Sequence, residues 1–256
     1  MSGGVGPTCG DISLPKEEEE QHMKLTSDND VNKPLHPDNN NKNNKRRTFL
    51  SFRQLNALAI IIVLSASGMV SLQDFTFLVF STLYMFVLSK LAFPTLPNTS
   101  TAPPIFDSPK LNKLLSLHTL LGAALGLLLP ILYIFSGIFC GDKQGIRAAA
   151  PHVFLLASQI FMEGLAFSSR FSIPITVFVP VCYNSMRLFA LMEWLDSEIG
   201  KVDVADGGSM RRVMVGRGLA VANLAFWGFN LFGFLLPIYM PRVLRRYYSD
   251  VFKVKD

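Results

Sequence analysis

The sequence predicts an all-α fold, a polytopic helical membrane bundle of about six transmembrane helices. Long stretches lack charge: residues 54–73 and 218–241 hold no acidic or basic side chain, and between Leu114 and Gly141 the only basic one is His118. A bilayer core ~30 Å thick needs roughly 20 apolar residues of helix, because backbone groups in hydrocarbon must bond within their own segment. The chain is 50% hydrophobic and 17% charged, against the ~25% charged typical of soluble domains. Its lysines and arginines fall mostly on alternate sides of the apolar runs.

Residues 1–47 are expected to form a disordered cytosolic tail. Glu17 to Glu20 and the asparagines around Asn39 to Asn44 leave almost nothing to bury. Ser27 precedes Asp28 and Asp30 there, an acidic context that some kinases accept. Because the first apolar run begins near Leu55, the first helix is expected to act as an uncleaved signal anchor. That places the protein in a secretory-pathway membrane: endoplasmic reticulum, Golgi or plasma membrane.

The transmembrane helical domain is expected over residues 48–241. Its first span covers about residues 55–72 and its second about 75–93, joined by a very short turn at Gln73 and Asp74. Lys90 lies near the end of the second, where a lysine can snorkel to the headgroups. A loop with five prolines between Pro94 and Pro109 follows. The third span covers about 114–139, the fourth 148–168 and the fifth 173–192. A polar loop over 193–212 leads to the sixth, about 217–239. Spans one, three and six are the clearest. Glu163 and Arg187 interrupt spans four and five, which leaves a re-entrant hairpin open as an alternative. Residues 242–256 are expected to form a basic amphipathic C-terminal tail, with Arg245, Arg246, Tyr247 and Tyr248 suited to an anionic leaflet.

Basic residues set the orientation. With a cytosolic N-terminus, thirteen lysines and arginines (in 42–53, 110–113, 170 and 242–255) face the cytosol, against six opposite (in 143–147 and 201–217). Both termini are therefore expected in the cytosol. Sugar on the sequon Asn98-Thr99-Ser100 would reverse that topology.

The net charge is +5, yet residues 1–53 hold eight basic and eight acidic side chains and cancel. The surplus belongs to the apolar remainder, which points to the lipid bilayer and not to nucleic acid as partner. Cys9, Cys140 and Cys182 form no CxxC or Cys/His cluster, so neither a disulfide framework nor a metal site is indicated. His118 and His152, thirty-four residues apart, lack the close spacing that puts two ligands on one helical face. No GxSxG, histidine box or phosphate-cradling loop occurs, and no cofactor is expected.

Glu163, Asn184 and Arg187 are the candidate intramembrane polar positions, since a charge in hydrocarbon is costly and marks function by default. A rise of ~1.5 Å per residue puts Glu163 and Arg187 at different depths, so a direct ion pair is not the expected outcome. Structural polar glue is favoured over a transport or relay role, with Gln159, Asn223 and Asn230 extending the set. Gly122 and Gly126 form a GxxxG in the third span, and Gly218 with Ala222 a similar pair in the sixth. Either pair allows close helix approach, within the chain or in a homo-oligomer. Leu128-Leu129-Pro130-Ile131 recurs as Leu235-Leu236-Pro237-Ile238, which raises the prospect of two inverted three-helix repeats.

The run Ser51-Phe52-Arg53-Gln54-Leu55-Asn56-Ala57-Leu58-Ala59, with Ser67-Gly68-Met69-Val70 and Ser89-Lys90-Leu91-Ala92-Phe93-Pro94, resembles a plant family of uncharacterised multi-pass membrane proteins, a domain of unknown function. The resemblance is clearest over the first two spans and extends to the sixth. It implies a land-plant source and an integral-membrane location, and brings no reaction or functional residue. The expected role is a non-enzymatic scaffold or accessory subunit, with a membrane-protein partner or homo-oligomer. The alternative is a small-solute transporter built from the inverted repeats; an intramembrane enzyme stands third.

Overall fold

A computed structural model describes residues 51–95, 108–167, 171–201 and 207–255, and every regular element among them is a helix. The predicted tail, the Asn98 sequon and Arg170 lie outside the described residues. Helix α1 spans Phe52–Ala66 and α2 spans Leu72–Leu91. Helices α3 (Pro109–Ala123) and α4 (Leu129–Cys140) run on through a π-helical segment, Ala124–Leu128. Helices α5 (Lys143–Ala166) and α6 (Ile173–Ile199) follow. Helix α7 (Gly207–Phe229) continues through a second π-helical segment, Asn230–Tyr239, into α8, Met240–Lys255. Among the described residues, five stretches are long and apolar enough to cross a membrane: α2, α3–α4, α5, α6 and Met210–Phe252.

The clarity of the spans changes order. The first helix is only 15 residues long, ~22 Å at 1.5 Å per residue. It stops early because Gly68 turns the chain at φ 67°, and because Ser71 starts the next helix by accepting from the Asp74 N–H at 3.1 Å. The turn therefore falls at residues 67–71 and not at Gln73 and Asp74; Asp74 is already in the first turn of α2, where the helix dipole favours a carboxylate. Helices α5 and α6, which Glu163 and Arg187 made doubtful, are long and form the buried centre. At 24 and 27 residues they have the length to cross, which a re-entrant hairpin does not need. Helix α6 also runs on to Ile199, through what the sequence suggested was a loop, and buries Trp194 and Glu198.

Packing follows from residue size. Ala149, Ala150 and Ala157 on α5 are fully buried and let neighbouring helices approach closely. Gln54 of α1, which closes a capping box with Ser51, sits over Gly164 of α5 where any Cβ would collide with it. At the far end of the chain, residues 242–255 continue the preceding helix as α8. Val243 and Tyr247 turn inward, and the Tyr247 hydroxyl donates to the Pro94 carbonyl at 3.0 Å.

Pro130 explains the first π-segment and its neighbours. A proline has no N–H, so it leaves the carbonyl four residues back unpaired in an α-helix, and the one five residues back in a π-helix. These are Gly126 and Leu125. The Leu129 N–H already reaches the Ala124 carbonyl. His152 Nε2 donates to Gly126 O at 2.9 Å, and Asn223 Nδ2 donates to Leu125 O at 3.0 Å. Two buried polar side chains on other helices thus replace the missing N–H. An orphaned buried carbonyl costs ~1–3 kcal/mol, so His152→Leu is expected to destabilise by about 2 kcal/mol. In a Pro130→Ala background, where the N–H returns, the same change costs less. A double-mutant cycle by thermal unfolding measures the coupling; strict additivity would remove this account.

Pro237 has no equivalent surroundings. It is exposed where Pro130 is buried. Helices α5 and α6 pack along much of their lengths, whereas the corresponding pair in the first half, α1 and α2, barely meet. The tetrapeptide repeat therefore does not extend to the packing of the two halves.

Candidate functional site

Helix α6 carries Asn184 and Arg187 on one face, one turn apart, both fully buried. Arg187 Nη2 donates to Asn184 Oδ1 at 2.8 Å, and Asn184 Nδ2 donates to the Trp227 carbonyl at 3.1 Å. The guanidinium lies 3.8 Å from the centre of the Trp227 ring, a cation–π contact strengthened by the absence of water. The Trp227 indole in turn donates to Asn223 Oδ1 at 3.2 Å, and Asn223 holds the π-segment. Arg187 Nε and Nη1, His152 Nδ1 and Trp194 Nε1 have no hydrogen-bond partner among the described residues. This row of side chains ties α6, α7 and the kink at Pro130 into one polar seam.

Glu163 stands apart from that seam. No ion pair joins it to Arg187; instead its Oε1 accepts from Gln159 Nε2 at 2.7 Å, one turn back on α5. The carboxylate lines a cavity of about 250 Å³ bounded by α3, α5, α6, α7 and the second π-segment, with Arg53 and Phe167 at its exposed rim. Across it, His118 donates from Nε2 to Asn230 Oδ1 at 2.9 Å and stacks on Phe226 with centroids 4.8 Å apart. His118 is thus paired, while Asn230 helps line the same space.

A third cluster, which no motif in the sequence announces, lies at the opposite end of the bundle. Asp142 accepts from the Gly145 N–H at 2.8 Å, capping α5, and from Arg212 Nε at 2.8 Å and Lys201 Nζ at 3.1 Å. Lys201 also reaches Glu198 at 2.8 Å, and the Tyr133 hydroxyl donates to Glu198 at 2.6 Å. Burial alone would raise the Asp142 carboxyl, but the Gly145 N–H and the two cations outweigh it and hold it below its ordinary value. The capping signal Asp142-Lys143-Gln144-Gly145 was present in the sequence. Glu198 was hidden by the predicted loop.

The glycines divide as well. Gly122 and Gly126 face Phe226 and Trp227 of α7, so their surface is used inside the chain. Gly218 is open, with nothing within 4 Å of where a Cβ would stand, and Gly216 makes the close approach instead, against Glu198 and Tyr133. Among the described residues, no three His, Cys, Asp or Glu side chains are grouped so as to hold a metal ion.

Among the described residues, the fold and these sites define an all-helical protein with an apolar exterior, a polar seam inside, and five helices of membrane-crossing length and composition. The chain belongs to the family described as Domain of unknown function (DUF7733), which matches residues 50–248. No curated protein and no solved structure matches it.

Proposed function

We propose that this is an integral membrane protein acting as a non-enzymatic scaffold or accessory subunit, with six crossings and both termini cytosolic. One observation carries the membrane reading: the distribution of polarity is inside-out. Phe139 is 88% exposed and Leu91 81%, while Arg187, Asn184 and Asn223 are 0% exposed. In water such a surface aggregates; in lipid it is the solvent-facing side. The non-enzymatic reading is supported by the use of His152, Asn184 and Asn223, each of which bonds a backbone carbonyl. For the short α1 to cross, the bilayer must thin or the helix ends must snorkel.

The test is extraction. The full chain, expressed in a eukaryotic cell, is expected to stay with membranes through alkaline carbonate and to leave only with detergent. Release into the carbonate supernatant would end this reading. Glycosidase-sensitive sugar at Asn98 would invert the topology alone. The second reading, a small-solute carrier, is favoured by the cavity beside Glu163. It loses the inverted repeat as support, because the halves pack differently.

A further inference from the structure

The cavity between α3, α5, α7 and the second π-segment has a chemistry that the polar seam does not use. At about 250 Å³ it has room for roughly eight waters at ~30 Å³ each, below the range of drug-sized sites. Its inner wall is apolar and aromatic: Leu127, Ile160, Phe226, Trp227 and Phe234. The charged group set into that wall is the Glu163 carboxylate. One of its oxygens is held by Gln159, which orients the carboxylate that lines the cavity.

We propose that this cavity binds a small protonated amine, free or as the ammonium of an aminophospholipid headgroup. An ammonium has three donors and no acceptor, whereas an ionised carboxylate only accepts, so the two are complementary. Ring faces lining the same space attract a cation and shelter its apolar body. An anion is disfavoured by Glu163, and a neutral alcohol brings no charge to the half-buried carboxylate. Arg53, exposed at the rim, is the competing cation: its charge at the mouth of the cavity opposes the entry of an amine.

This site stands independently of the bilayer reading, because binding is measured on the detergent-solubilised full chain whatever its native location. The probe is 2-phenylethylammonium, compared with 2-phenylethanol and with the N,N,N-trimethyl analogue, by calorimetry at neutral pH. The primary ammonium is expected to bind at least ~10-fold tighter than the alcohol. Glu163→Gln is expected to erase that preference, and Arg53→Ala to tighten binding several-fold. Ala123→Phe, which fills the cavity from α3 and removes no charge, is expected to abolish binding and covers the case in which Glu163→Gln fails to fold. Native mass spectrometry from nanodiscs of phosphatidylethanolamine or phosphatidylcholine separates the sources. Retention of the ethanolamine lipid, lost in the Ala123→Phe variant, assigns the site to a headgroup; binding of the free amine alone assigns it to a solute. Equal affinity for amine and alcohol, with no selective lipid retention, overturns the proposal. So does amine binding that survives both cavity variants.

Discussion

Gly126→Leu is expected to be the most damaging single substitution in the bundle, lowering stability by about 3 kcal/mol. Even the first added atom finds no room. A Cβ at Gly126 would lie 2.7 Å from Trp227 Cζ2 and 2.9 Å from Leu156 Cδ2. The leucine end can rotate away, but the indole cannot: Asn223 holds its N–H and Arg187 covers its face. Displacing Trp227 would therefore disturb the whole seam and uncover the buried guanidinium. Gly122→Ala should be milder, since its nearest contacts are 3.3 Å away. Gly218→Ala, with open space around it, should be neutral or slightly stabilising, because alanine favours helix over glycine by up to ~1 kcal/mol. Thermal unfolding of the three variants in one detergent tests the ranking. A Gly126→Leu protein as stable as Gly218→Ala would show that Trp227 is not fixed as described.

The second large effect is expected at Asp142. Asp142→Ala removes the cap of α5, ~1 kcal/mol, and leaves Arg212 without its carboxylate in a site where its side chain is only 10% exposed. Lys201 keeps Glu198, so the combined loss should be about 3 kcal/mol, the low end for breaking a buried pair. Asp142→Asn can keep the cap through Oδ1 but sets an amide NH2 where Oδ2 accepts from Arg212 and Lys201, so it removes the ion pairs and spares the cap, which separates the two contributions. The pH dependence has a defined sign. The folded-state carboxyl titrates below its ordinary value, so its stabilisation is present above the unfolded value of ~3.9 and is lost as the pH falls through the depressed one. Wild-type unfolding temperature should drop on acidification below about pH 4 more steeply than that of Asp142→Asn. Parallel curves would mean that Asp142 is not the group responsible.

Much of the helical layout was legible in the sequence because long uncharged runs admit few alternatives. What misled was the treatment of charge as interruption. Glu163 and Arg187 made α5 and α6 look doubtful, yet these are the two most enclosed long helices, and only an enclosed helix can offer such groups partners. The opposite error occurred at α1, whose uninterrupted apolar run concealed a stop: Gly68 and the Ser71 to Asp74 cap end it after 15 residues. Asn184 and Arg187 were singled out on cost grounds, and the structure brings them together. Glu163, singled out with them, faces a different space. Nothing local in the sequence signals that Asp142, Glu198 and Tyr133 belong to one cluster, because Glu198 lies far along the chain from the other two.

From the sequence alone came the helical class, the number of apolar stretches and the residues whose polarity demanded an explanation. These depend on composition and on a periodicity that neighbouring residues set among themselves. Which side chain answers which was settled only by the tertiary arrangement: His152 and Asn223 at the carbonyls beside Pro130, Trp227 beneath Arg187, Arg212 on Asp142. Such partnerships join residues 26 to 98 positions apart, and hydrogen bonds and cation–π contacts act over a few ångströms, so they exist only once the helices have packed.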